Sequence, residues 1–424
     1  MFSHGDDMDV VRFCFALTAC ALFLTACEIP SGTSESKVEK VVESCEATAV
    51  PDRYIVRWKD GSYTRENADS REALIRDVIK PNDEQIEFAE NDQLIRIEKP
   101  VVVQSSASYD PAPANWGQER TGAVDAWAKG IAGEGIIVAV VDSGVDVNHP
   151  QLSAQMAVNS AEVINGIDDD KNGYIDDVIG WDFSSGSPYV NDGSGHGTHV
   201  AGIVAADHTK GTVKGVAPKA KILPLDFMGD DGYGTIGGGI EAMYYAAKRG
   251  AKVVNASWGG SRCSRALRTA IENLSKQGVL FISASGNGDE YGRGENLDLI
   301  PTYPAAFAVG LQISVGASSF TDTMEGFSNY SRKLVHLLAP GSDIFSTYPE
   351  NSTRYQQGTS MATPFVAGAA ALVWSHRPRA TADQVREALL SSVDYGNFPV
   401  VTGGRLNITR AIEKIEALVP DEAP

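Results

Sequence analysis

The sequence predicts an α/β protein built on a mostly parallel β-sheet with helices on both faces. Two observations predict it. From about residue 117, short continuous apolar runs alternate with helical segments, and a strand apolar along its whole length is one covered on both sides. Polar residues able to do chemistry stand at the ends of those runs, where open α/β sheets bind ligands, outside the carboxyl ends of the strands. At 424 residues and 43% hydrophobic, the chain can bury a large core and exceeds one average domain.

Residues 1–26 read as a leader. "VVRFCFALTACALFLTACE" (10–28) has one basic residue, Arg12, before an apolar run of about 14 residues, short of the ~20 that cross a bilayer. Translation from Met8 gives it the better basic start. Leu24-Thr25-Ala26-Cys27 resembles the bacterial lipobox, which makes Cys27 the lipidated first residue of a lipoprotein. Residues 27–50 are a polar, Ser/Glu/Lys-rich linker. Residues 51–100 form a small α+β unit: "RYIVRW" as a strand, "SREALIRDVI" as a short helix, "QIEFAENDQLIRIE" as a strand pair or strand–turn–strand. Residues 101–115, rich in Ser, Pro and Ala, are a second linker and the expected maturation region. The large unit spans 116–416, and 417–424 is a tail.

Within the large unit the alternation runs through "GIIVAVVD" (135–142), "THVAGIVAA" (198–206), "AKILPLDF" (220–227), "GGGIEAMYYAAKRG" (237–250), "AKVVNASW" (251–258), "SRALRTAIENLSKQG" (264–278) and "VLFISASGN" (279–287). "GTSMATPFVAGAAALVW" (358–374) starts a helix near Thr359–Ser360, because a proline such as Pro364 is tolerated only near a helix start. The strand ends carry Asp142, His196 (in "NDGSGHGTHVAG"), Asn287 and Ser360.

Each has an ordinary structural reading: Asp142 as a turn former, Asn287 as a turn between glycines, Ser360 as an N-cap. Jointly they fit acyl transfer. A serine becomes a nucleophile through a base, commonly His, and the His is oriented by a buried carboxylate. A developing oxyanion takes preorganised donors, and an Asn amide plus a helix N-terminal N–H supply two. His199, three residues after His196, reads as a packed or capping histidine, since the HExxH zinc pattern is absent. The net charge of −19 argues against nucleic-acid binding, which wants clustered Lys and Arg. Five cysteines, three of them in the leader, make neither a disulfide framework nor a CxxC metal site, and a Cys45–Cys263 bridge has no support in the sequence.

Taken together, "VDSGVDVNHPQL", "GHGTHVAGIVAA", "SWGG", "SASGN" and "GTSMATPFVAGAAALV" resemble the subtilisin-like serine proteases (subtilases, peptidase S8 family), and the chain order Asp, His, Ser is theirs. The resemblance covers about 115–416. It implies a subtilisin-like fold with Asp142 as orienting carboxylate, His196 as general base, Ser360 as nucleophile and Asn287 as oxyanion donor. It implies that Ser257, Trp258, Gly259, Ala284 and Gly286 line the substrate cleft. The activity implied is that of a secreted or envelope-anchored serine endopeptidase of broad specificity, acting on proteins or peptides without a catalytic cofactor. The 51–100 unit looks like a short inhibitory propeptide, so the precursor is a zymogen attached to the membrane through Cys27. The competing reading is a catalytically inactive subtilase-fold binding protein, against which the four intact residues speak. An esterase wants GxSxG, which "GTSMA" does not match.

Many subtilases hold calcium with an Asp soon after "HP" and an Asn in the loop after the histidine helix. Gln151 and Thr209 stand there instead. A second candidate calcium loop is "NGIDDDKNGYIDDVIGWDF" (165–183), with Asp168, Asp170 and Asn172 at EF-hand-like spacing, Tyr174 offering its carbonyl, and Asp176, Asp177 or Asp182 closing the site in place of the glutamate that Ile179 replaces. "SWGG" and "SASGNG" contain no acid, and Thr302 precedes "YPAAF". The expectation is a neutral pocket for an apolar residue before the scissile bond.

Overall fold

The computed structural model describes residues 41–42, 49–97 and 111–421. The leader with its lipobox and Cys27 lies outside the described residues.

The small unit is an antiparallel sheet crossed by one helix. Strand Ala49–Trp58 pairs with Tyr63–Asn67 on one side and Ile86–Arg96 on the other, and Val41–Val42 adds in parallel to the last. Ser70 caps the helix Arg71–Leu74 by accepting from the Ala73 N–H at 3.1 Å. Its continuation, Ile75–Ile79, widens, so that the Lys80 N–H bonds the Ile75 carbonyl five residues back. Tyr54, Val56, Leu74, Ile79, Ile86 and Ala89 close a core between helix and sheet. "QIEFAENDQLIRIE" is a single strand rather than a strand pair. Its polar centre, Glu90 to Gln93, reads as a turn in sequence, but Glu90, Asp92 and Gln93 are buried, and Glu90 and Asp92 accept from the large unit.

The large unit carries a nine-stranded sheet. Its order is Asp394–Tyr395, Gly404–Arg405, Leu337–Pro340, Gln312–Ser318, Leu280–Ala284, Val253–Ala256, Ile137–Asp142, Lys221–Asp226, Trp181–Asp182. Every neighbouring pair is parallel except the first. Side chains alternate between two cores, as the two-residue period of a strand requires. Val138 and Val140 pack with helices His196–Ala205 and Thr359–His376, while Ala139 and Val141 pack with Ile236–Lys248 and Arg265–Lys276. All of residues 359–374 are buried, which explains a helix that is apolar on every side.

Candidate active site

Asp142 ends a central strand and His196 opens the next helix, and the fold sets them side by side. His196 Nδ1 lies 2.7 Å from Asp142 Oδ1, both residues buried. The Ser143 N–H also donates to that oxygen, at 2.9 Å. The close approach needs Gly197, where a Cβ would stand 2.0 Å from the Gly144 carbonyl oxygen. Sequence reasoning missed Asp192. Its buried carboxylate accepts from the Gly195 and Thr198 N–H groups, both at 2.7 Å, and from Ser143 Oγ at 2.9 Å. An acid four residues before a histidine-led helix is the signal that was available, since a carboxylate satisfies orphan N–H groups at a helix start.

Burial disfavours the charged form of His196, but the Asp142 charge, its hydrogen bond and Asp192 outweigh it, and the imidazole pKa is raised. His199 behaves as a packed histidine. Its Nε2 sits 3.1 Å from the Ile344 carbonyl and 3.0 Å from that of Arg354, and burial pulls its pKa down to about 3. Asp226 pairs across the sheet with Asp142, and burial and Asp182 push it up to about 9, so it is neutral near pH 7 and adds no charge beside the His196 partner.

Ser360 is the second residue of its helix, and its hydroxyl donates to the Ser257 carbonyl at 3.1 Å. Pro364 has no N–H for the Ser360 carbonyl, and Ser257 Oγ donates to that oxygen instead, at 2.9 Å. Asn255 Nδ2 in turn donates to Ser257 Oγ at 2.9 Å. Asn287 Oδ1 accepts from the Thr359 N–H at 2.8 Å and from its hydroxyl at 3.0 Å. This fixes the amide with Nδ2 on the opposite side, 3.1 Å from where a Cβ on Gly358 would stand. Among the described residues, five buried polar atoms of this group have no hydrogen-bond partner: Asp142 Oδ2, His196 Nε2, His199 Nδ1, Asn255 Oδ1 and Asn287 Nδ2.

Of the cleft residues expected from sequence, Ser257 and Gly259 meet the site directly. The Gly259 N–H donates to the Arg96 carbonyl at 3.3 Å. The Gly286 N–H donates to Thr359 Oγ1 at 3.1 Å, and Ala284 is a buried strand end. The Trp258 side chain is corrected from cleft to core. Its indole donates to the Val141 carbonyl at 2.8 Å and packs on Phe227 and Phe281. A cavity of about 410 Å³ beside the small unit's last strand is lined by Gly259, Gly260, Gly288, Thr302 and Asn329, with Arg262 and Glu295 among its walls. Glu295 and Arg262, which line this cavity beside Thr302, come from outside the short motifs.

In the acidic loop, Asp168 and Asp170 come together with Glu162, their carboxylate oxygens within 4.8 Å of one another. This donor set fits a hard cation that takes oxygen ligands. Glu162, which lies before the template, was missed. Of the other expected ligands, the Asp177 and Asn172 side chains are engaged by other partners. Asp177 bonds the Tyr245 hydroxyl, Asn159 and Asn172. Tyr174 packs its ring on Trp181, Phe183 and Tyr245. Asn172 Nδ2 donates to Asp170 and Asp177, and its Oδ1 accepts from the Tyr174 N–H. Gln151 ties its loop without a cation: Nε2 donates to the Asp207 and Val213 carbonyls, both at 2.8 Å.

Residues 133–408 match the model of the subtilase family. Subtilisin DY of Bacillus licheniformis is 34% identical over 68% of this chain and 94% of its own length. Thermitase of Thermoactinomyces vulgaris is 34% identical over 70% and 95%. The major intracellular serine protease of Bacillus subtilis (strain 168) is 38% identical over 60% and 73%. Asp142, His196, Asn287 and Ser360 all fall within the matched span, and the chain belongs to the subtilase family as a serine-type endopeptidase.

Proposed function

We propose that Asp142, His196 and Ser360 form a charge-coupled triad that cleaves peptide bonds through an acyl-enzyme, with Asn287 as oxyanion donor. The observation that carries this reading is two buried, unpartnered nitrogens: His196 Nε2, on a ring held at Nδ1 by Asp142, and Asn287 Nδ2, at the start of the Ser360 helix. His196 Nε2 takes the Ser360 proton as Oγ attacks the carbonyl carbon, while Asp142 holds the imidazolium. The oxyanion accepts from Asn287 Nδ2 and from the Ser360 N–H at the helix start. The same proton passes to the leaving amine, and water attacks the acyl-enzyme by the reverse path.

Substrate enters as an added strand. Leu94, Ile95 and Arg96 pair antiparallel with Thr235, Gly234 and Tyr233, and the Ile97 N–H donates to the Gly232 carbonyl at 3.0 Å. The small unit thus lays its own strand in the cleft, which supports its role as an inhibitory propeptide. Ile95 and Ile97 are buried there while Leu94 is exposed, so upstream apolar residues at alternate positions suit a substrate of otherwise broad sequence. The precursor is a lipoprotein anchored through Cys27, matured by cleavage in the 101–115 linker, and works at the cell envelope or outside it. Calcium in the Glu162, Asp168 and Asp170 group is structural and takes no part in the reaction.

The test is Ser360→Ala, which should lower kcat by on the order of 10⁴-fold or more and block separation of the two units. Normal casein hydrolysis by this variant overturns the assignment of Ser360 as nucleophile.

A further inference from the structure

The buried residue Asn329 stands between the segment that carries Asn287 and the cavity beside it. After the strand Leu280–Ala284 the chain runs Ser285, Gly286, Asn287, and the first two carbonyls of that run end on Asn329. Its Nδ2 donates to the Ser285 carbonyl at 3.1 Å, and its N–H donates to the Gly286 carbonyl at 3.0 Å. The Ser285 hydroxyl donates back to the Asn329 carbonyl, also at 3.0 Å. The approach needs glycine at 286, where φ is +104° and a Cβ would stand 2.4 Å from Asn329 Nδ2. The same amide reaches the cavity wall. Nδ2 donates to Thr302 Oγ1 at 3.3 Å, and Oδ1 accepts from the Glu295 N–H at 2.7 Å. Thr302 and Glu295 line the cavity with Gly259, Gly260 and Gly288. Gly288 directly follows the oxyanion donor, which puts the cavity beside the substrate residue whose carbonyl is attacked.

We propose that Asn329 is a positioning residue that sets the Asn287 amide through Ser285 and Gly286 and couples it to the substrate side chain in the cavity. The proposal rests on the peptidase reading above. Thr359 holds this segment from one side: its N–H donates to Asn287 Oδ1, and its hydroxyl accepts from the Gly286 N–H at 3.1 Å. Asn329 holds it from the other. A backbone clamped on both sides keeps Asn287 Nδ2 where the oxyanion forms, and a misplacement of about 1 Å costs on the order of 10²-fold in rate. A substrate side chain that fills the cavity braces Thr302 and Glu295 and, through the Asn329 amide, the donor. One too small to reach that wall leaves the clamp unbraced. Fit in the cavity is then felt in the transition state, so it selects among substrates through kcat more than through KM.

The test compares the parent, Asn329→Ala, Asn287→Ala and the double variant on two peptides that differ only in the residue before the scissile bond, leucine or alanine. Hydrolysis by the parent, lost in Ser360→Ala, secures the peptidase reading first, and its absence sinks that reading rather than the role of Asn329. Asn329→Ala should lower kcat on the leucine peptide roughly ten- to hundredfold with KM changed by less than about threefold. It should also narrow the kcat preference for leucine over alanine by at least about threefold. In the Asn287→Ala background the same substitution should cost less than about threefold, because the amide it positions is gone. Thr302→Val keeps the side chain's outline and loses the acceptor, so it should narrow the preference with a smaller loss of kcat, and it decides the matter if Asn329→Ala does not fold. A loss confined to KM, an equal loss on both peptides, a full loss added to that of Asn287→Ala, or an unchanged preference in Thr302→Val overturns the proposal.

Discussion

At Asn287 the two ends of one amide have separate tasks. The oxygen is spent on Thr359, and the nitrogen is left for a charge that forms only during reaction. Asn287→Ala should therefore lower kcat by roughly 10²–10³-fold with little change in KM, because the lost donor acts in the transition state. A change confined to KM, measured on a peptide substrate, would make it a binding residue. His196 carries the pH dependence. Its pKa lies above the ordinary 6.5, the base form is the active one, and activity is lost as pH falls through that raised value. The acid limb of kcat/KM should sit above pH 6.5. Asp192→Asn removes one of the charges that raise it, so the limb should move to lower pH. A limb that stays in place would show that Asp192 acts on the helix start alone.

The Ile86–Arg96 strand does three jobs along its length. Its first half pairs inside the small unit, its centre caps helices of the large unit, and its end fills the cleft. Glu90 takes the start of the Arg265–Lys276 helix, and Asp92 accepts from the Gly237 N–H at 2.9 Å at the start of Ile236–Lys248. Sequence could not show this. A polar quartet in mid-strand looks like a turn until the helix N-termini it satisfies are known, and those lie some 145 to 176 positions away. Burial pushes Glu90 up to about 7, from an ordinary 4.5. An acid whose pKa is raised on docking binds a proton as it docks. Docking is therefore strongest below pH 4.5 and weakens between there and about 7, by up to roughly tenfold per pH unit. The lag before self-cut enzyme becomes active should shorten from pH 5 to pH 7. In Glu90→Gln that dependence should flatten, and a lag that shortens as steeply in the variant would shift the effect to Asp92 or Glu241.

Across the whole molecule, what was legible in sequence was what is local. Asp142, His196, Asn287 and Ser360 sit in short motifs at strand ends and helix starts, and the central strands and helices of the sheet announce themselves by their apolar runs. What depends on distant segments meeting was not legible: Asp192 and Glu162 are two acids among 55, and only the fold tells them from the rest. The acidic loop shows what such a meeting can do for stability. The segment from Asn159 to Val178 closes on itself at the sheet edge, where the Asn159 N–H bonds the Val178 carbonyl at 2.7 Å. It is pinned to the large unit through Arg249, whose guanidinium donates to the Asp177 and Ala157 carbonyls, both at 3.1 Å. Glu162 holds the N–H groups of Asp170 and Asp176, and with Asp168 and Asp170 it brings three carboxylates together. A divalent cation would relieve their mutual repulsion, and the three carboxylates come together only in the folded chain. Calcium that binds the folded state alone stabilises it by about 2.7 kcal/mol at a hundred times its Kd. A chelator should therefore lower Tm by several degrees, and Asp168→Ala with Asp170→Ala should erase the response while leaving kcat near that of the parent. Glu162→Gln should weaken the response, which separates this group from the EF-hand-like spacing that omits Glu162. If the double variant still loses as much Tm to chelator as the parent, the cation that stabilises this enzyme is held by a different part of the chain.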